Sequence, residues 1–203
     1  MNTKHQNWQD QDLGRESAVK QSDTELPSVL SLGDLRLRQP SSPIADFTDP
    51  HFLNDFGRLI AVLDNFRRTH GFGRAISAPQ IGIMKRFIAM DIGGNSSILV
   101  NPEITWYSKS TITLWDDCMS FPGKLVRVQR ASSISVTFWD EKGGCHSWER
   151  LPVDTSELLQ HEVDHLDGVL AVDRAIDSEA IIKRVDYERH KSHYDAMVQY
   201  AIE

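Results

Sequence analysis

The sequence predicts an α+β fold: an N-terminal helix, antiparallel or mixed β-sheets wrapped around a short central helix, and a C-terminal helix. Three observations lead there. A strong apolar stripe of helical period runs from Phe52 to Phe66. A run of strand-like segments follows, joined by turns and hairpins instead of helices. Helical patterns return only after Asp154. Strand–helix alternation, the mark of a doubly wound parallel sheet, is missing.

Residues 1–26 are polar, rich in Gln, Asp, Glu and Ser, and without apolar periodicity, so they bury too little to offset ordering entropy and read as a loose arm. A single domain is expected over residues 27–203. It opens with VLSLGDLRLRQPSSPI, short apolar runs broken by Gly33, Pro40 and Pro43, which read as extended chain and loop. Thr48 and Asp49 cap a helix that has Pro50 at its first position and Gly71 at its end. RFIAMDI and SILVNPEITWYS are strands, with Pro102 marking an edge or bulge. TITLW, LVRV and SISVTFW continue the β content, and Asp140 to Gly144 turns a hairpin into CHSWERL. Asp154 with Glu157 three residues later reads as a capping box, and Gly168 as the stop of that helix. A last helix is expected from about Ser178, with Ile181, Ile182, Val185, Tyr194, Met197, Val198 and Ala201 as its apolar stripe.

Composition narrows the class. With 203 residues, 40% hydrophobic and 25% charged, the chain fits one globular domain plus a tail. No window reaches the roughly 18 apolar residues of a membrane span. The N-terminus has neither the apolar core nor the cleavage pattern of a signal peptide. A cytoplasmic protein with no membrane partner is expected. The formal charge of −7, from 29 acidic against 22 basic residues, would repel a phosphate backbone and argues against direct nucleic-acid binding. Two cysteines, Cys118 and Cys145, are too few for a disulfide framework, so the question becomes one of a thiol or a metal ligand.

The helix after Asp154 reads Gln160-His161-Glu162-Val163-Asp164-His165. Histidines at i and i+4 share one helical face and can reach one ion, and Glu162 beside them has the position of a general base in metallohydrolases. The same pattern also fits two surface histidines on an acidic helix. A metal centre would need a third protein ligand and an open position. No third histidine or suitably placed glutamate follows on the next turn, and Cys118 in Asp116-Asp117-Cys118-Met119-Ser120 can fill the gap, although a lone cysteine is equally a small buried hydrophobe. Cys145, after a glycine turn with His146 beside it, is assigned that second reading, a small buried hydrophobe and a bystander. The loop Gly71-Phe72-Gly73-Arg74-Ala75-Ile76-Ser77-Ala78-Pro79-Gln80 is a poor nucleotide loop, because a long helix precedes it instead of a strand.

Taken together these three segments resemble the motifs of the peptide deformylase family, Gly-x-Gly-apolar-Ala-Ala-Pro-Gln, Glu-Gly-Cys-Leu-Ser and Gln-His-Glu-x-Asp-His-Leu. They stand here at Gly73 to Gln80, Asp116 to Ser120 and Gln160 to Leu166. The resemblance extends over nearly everything after the first two dozen residues. It implies that Cys118, His161 and His165 bind one divalent metal ion, with Fe2+ the expected ion and Zn2+, Ni2+ or Co2+ able to replace it. It implies Glu162 as general base, with the Gln80 amide and the Met119 backbone N–H as oxyanion donors. The implied reaction removes the N-formyl group from the starting methionine of new polypeptides. The implied partner is a formylated peptide, on nascent chains at the ribosome, met by a monomer.

The same resemblance draws the substrate pocket from Gly73, Arg74, Ala75, Leu114, Asp116, Asp117, Glu157 and Leu158, with Arg130 supporting Asp116. The chain departs from the family pattern here. Ala75 and Ser77 replace a glycine and an alanine, and Arg74 replaces an apolar residue. Asp116-Asp117 stand for Glu-Gly, and aspartate resists backbone angles that glycine at position 117 would tolerate. Glu157 stands where an aliphatic pocket residue is usual. An Arg74–Glu157 pair would satisfy both charges, and a side-chain preference weaker for methionine, or shifted to a more polar N-formyl substrate, is the expected consequence. The competing readings are a non-catalytic paralogue that binds N-termini and a zinc protease, the latter disfavoured by the missing downstream ligand.

Overall fold

The computed structural model describes residues 26–202, so the expected arm of residues 1–26 lies outside the described residues but for its last one. Helix α1 (Pro50–His70) begins where predicted: the Asp49 carboxylate accepts the His51 N–H at 2.9 Å and Pro50 opens the first turn. It ends at Gly71, whose φ of 76° lets its N–H turn back to the Arg67 carbonyl. The inward stripe of Phe52, Leu59, Val62, Leu63 and Phe66 packs on Ile76 and Phe87, tying α1 to the sheet beneath it.

The strands are β1 (Ala75–Ser77), β2 (Phe87–Ile92), β3 (Asn95–Tyr107), β4 (Thr111–Asp117), β5 (Lys124–Ala131), β6 (Ile134–Trp139), β7 (Cys145–Trp148) and β8 (Ile181–Lys183). They form a five-stranded sheet, β1-β2-β3-β6-β7, and a three-stranded sheet, β4-β5-β8. All pairings between these strands are antiparallel, so of the two expected arrangements the mixed one does not occur among them. Near Pro102 the register against β6 shifts between Val100 and Glu103, the irregularity that a residue lacking an N–H demands. The β6–β7 hairpin is closed by the Asp140 carboxylate, which accepts the N–H groups of Lys142 and Gly144 at 2.9 and 2.7 Å.

Helix α2 (Val153–Leu166) carries the histidine motif, and every residue from Ser156 to Leu166 is buried. It packs against β1, β5 and the 3-10 turn Ala78–Ile81, between the two sheets' elements. The expected capping box does not form. Pro152 occupies the cap, Asp154 accepts its neighbour Thr155's N–H at 2.6 Å, and Glu157 is drawn away to Arg74. Gly168 does end the segment: its φ is +75°, and a Cβ there would lie 2.8 Å from the Arg38 backbone.

The expected single C-terminal helix is overturned. Ile181 and Ile182 instead form β8 on the open edge of β5, opposite Val126 and Leu125, and two short helices follow, α3 (Arg184–Arg189) and α4 (Lys191–Asp195). An unpaired sheet edge offers β-branched residues backbone partners that an isolated helix cannot match, so tertiary pairing overrode the 3.6-residue pattern.

Candidate active site

The i, i+4 spacing on α2 brings His161 Nε2 and His165 Nε2 to 3.2 Å, and the Cys118 sulfur lies 3.2 Å from His165 Nε2. Cys118 follows β4 immediately, so strand and helix present their donors to one point. The three donor atoms all lie within 4.8 Å of one another and all three residues are buried. In a tetrahedral centre with nitrogen about 2.0–2.1 Å and sulfur about 2.3 Å from the ion, donors stand about 3.3–3.6 Å apart. A cysteine sulfur and two imidazole nitrogens converging on one point fit a soft or borderline divalent cation.

Supporting groups orient these donors. The Asp116 carboxylate lies 2.9 Å from His161 Nδ1 and accepts from Arg130 at 2.7 and 3.2 Å. Arg130 also donates to Asp164 at 2.9 Å, and Asp164 is held by Arg174 at 2.6 and 2.5 Å. Burial opposes ionisation of Asp116, but His161 and the Arg130 guanidinium outweigh it and hold the carboxyl well below the usual range. Arg130 is correspondingly held above its ordinary value by Asp116 and Asp164, against its own burial.

Glu162 lines the same cavity. Its carboxylate accepts from the Ser77 hydroxyl, which also lies 2.9 Å from the Glu162 carbonyl, and its carboxyl is raised by burial, against the pull of His161 and Ser77. Gln80 Oε1 accepts the Ser77 N–H at 2.9 Å, which turns the amide nitrogen toward Ser120 Oγ at 3.3 Å and the Cys118 sulfur at 3.8 Å. The Met119 N–H donates to no backbone carbonyl among the described residues, while its side chain joins the core under α1.

A cavity of about 370 Å³ opens beside these groups. Gly73, Arg74, Ala75, Asp116, Asp117, Glu157 and Leu158 line it. Leu114 does not: it is fully buried in a small core with Phe121, Val126 and Val128, and the next residue of β4, Trp115, lines the cavity in its place. Gly73 needs its glycine, because its φ of +114° is one that side-chain-bearing residues rarely adopt. Asp117 does not need one. Left-handed φ among the described non-glycine residues occurs only at Asn101 and Arg150, and Asp117 sits in extended β4 with its carboxylate 2.9 Å from Arg184 Nη2. Arg184 also donates to the Pro122 carbonyl at 2.7 Å and lies over the Phe72 ring at 4.0 Å.

Arg74 and Glu157 pair at 2.6 Å, with the Glu157 side chain 1% exposed and Arg74 at 26%. Burial pushes the Glu157 carboxyl up to about 7 even though Arg74 pulls it down. Cys145 is a bystander but not the buried hydrophobe expected: it is exposed on the short edge strand β7, apart from the donor set, and its neighbour His146 lies 2.7 Å from Asp140. Sequence reasoning missed Ser77 as the partner of Glu162, and Phe72, Arg184, Tyr187 and Ile202 as cavity walls. The Ser77 replacement was visible but carried no sign of its partner, 85 residues away.

The family model described as Polypeptide deformylase matches residues 27–180. The chain is 35% identical over 177 residues to the peptide deformylase of Prochlorococcus marinus (strain SARG), covering 83% of each chain. The crystal structure of peptide deformylase from Thermotoga maritima superposes with a TM-score of 0.68 at 31% identity, covering 76% of this chain and all of that one. The Met-Ala-Ser-bound class I type b peptide deformylase from Acinetobacter baumannii superposes with a TM-score of 0.66 at 25% identity, covering 74% and 98%.

Proposed function

The chain belongs to the polypeptide deformylase family and is a metal-dependent hydrolase that removes the N-formyl group from nascent peptides; from that premise we propose how its residues divide the work. Cys118, His161 and His165 hold one divalent ion, expected to be Fe2+ in the native protein, with Zn2+, Ni2+ or Co2+ able to stand in. When bound, the ion supplies Lewis acidity toward a water and the formyl carbonyl. Glu162 takes the proton of the attacking water and later returns it to the leaving amine, held in place by Ser77. The Gln80 amide, whose direction is set by the Ser77 N–H, and the Met119 N–H, which donates to no backbone carbonyl among the described residues, receive the charge that develops on the formyl oxygen. Asp116 keeps the His161 ring in the tautomer that leaves Nε2 free to bind, and Arg130 holds Asp116.

The observation that supports this division is the meeting, in one buried site, of a Cys-His-His donor triangle, the Gln80 amide and the Glu162 carboxylate. The substrate reading is a formylated peptide, presented by nascent chains at the ribosome to a monomeric enzyme in the cytoplasm, with residues 27–203 acting as one domain. No described helix is long and apolar enough to cross a membrane. Formate release from formyl-Met-Ala-Ser by anaerobically prepared, metal-loaded protein tests the assignment. Glu162→Ala should lower kcat about a hundredfold or more while metal content stays at one ion per chain. Undiminished turnover in that variant would remove Glu162 from its role.

A further inference from the structure

One wall of the cavity does not suit an aliphatic guest. Glu157 lies one turn before His161 on the same face of α2, so a side chain starting near the donor triangle reaches it across about 5–6 Å. Its Oε1 accepts from Arg74 Nη2 at 2.6 Å, while Oε2 accepts from no described residue. Arg74 is anchored besides by the Asp154 carbonyl at 3.2 Å. The pair therefore presents a second carboxyl oxygen and guanidinium donors side by side.

Each class of guest meets this wall differently. An apolar end pressed against it covers the Arg74 guanidinium, 26% exposed, and returns no hydrogen bond. A cationic end must approach Arg74, and an anionic end must approach Glu157. A carboxamide satisfies both, its NH2 donating to Glu157 Oε2 and its carbonyl accepting from Arg74.

We propose that the Arg74–Glu157 pair is the specificity element for the formylated residue of the substrate, and that it receives a neutral carboxamide side chain of methionine's length at least as well as methionine itself. The proposal rests on the deformylase reading of the site. It makes glutamine the residue of choice, because Gln, Met and norleucine share a length and differ in polarity.

The test compares kcat/KM for formyl-Gln-Ala-Ser, formyl-Met-Ala-Ser and formyl-norleucine-Ala-Ser on metal-replete protein. The glutamine peptide should equal or exceed the norleucine peptide in the wild type, and the Arg74→Leu/Glu157→Leu double variant should move the ratio at least tenfold toward norleucine. A wild-type preference of tenfold or more for norleucine and methionine over glutamine would overturn the proposal, and that ratio needs no variant to fold. Formate release from none of the three by metal-replete protein would overturn the deformylase reading instead.

Discussion

Asp116 Oδ1 stands 2.9 Å from His161 Nδ1, the ring nitrogen turned away from the one that faces His165. In the proposed metal site this contact is what selects Nε2 as the metal-binding nitrogen and holds the ring against rotation. Asp116→Asn keeps the shape but removes the charge that favours the Nδ1–H tautomer. It should weaken metal retention about ten- to a hundredfold, read by competition with a chelator. Equal retention in the variant would mean that α2 alone orients the ring.

Ser77 connects the two segments proposed to be catalytic, since its hydroxyl meets Glu162 and its N–H meets Gln80. Ser77→Ala removes only the hydroxyl and leaves the N–H contact to Gln80. We expect kcat to fall about tenfold or more as Glu162 loses its fixed position, with KM and metal content unchanged. A fall in metal content would place the effect in the helix instead.

Removal of the ion should be costly for folding as well as for activity, because three buried donors would then face one another without a cation. Dialysis against chelator should lower Tm, and adding back Zn2+ or Ni2+ at about a hundredfold over Kd should restore about 2.7 kcal/mol. Cys118→Ser should largely abolish that recovery. An unchanged Tm on metal removal would argue that the site is held rigid by Arg130 and Asp164 alone.

Gly168 answers to two demands, a φ of +75° and an approach to the Arg38 backbone that leaves a Cβ only 2.8 Å away. Gly168→Ala should destabilise the protein by about 2–3 kcal/mol in urea unfolding. A change below about 0.5 kcal/mol would show that the loop around Arg38 yields freely.

Much of the fold was readable from local signals. Asp49, Pro50 and Gly71 bound α1 because capping chemistry acts within a few residues of the chain. The i, i+4 histidines are similarly local, and so their shared face followed from helical period alone. The α2 cap and the C-terminal helix were misread for the opposite reason. Glu157 has a partner 83 residues away in Arg74, and Ile181 and Ile182 have theirs on β5, so distant contacts outbid the local pattern.

By itself the sequence pointed to the family and, through its motifs, to Cys118, His161, His165 and Glu162 as the proposed site, since motifs depend on residue type and spacing. Only the tertiary structure decided that Asp117 is an extended residue tied to Arg184, that Leu114 belongs to the core, and that Ser77 holds Glu162. It alone set Glu157 against Arg74 inside the cavity, with one oxygen left over. The physical reason is range: caps, periods and ligand spacings are written within a turn or two of chain, whereas the satisfaction of a buried charge depends on which distant element the fold brings to it.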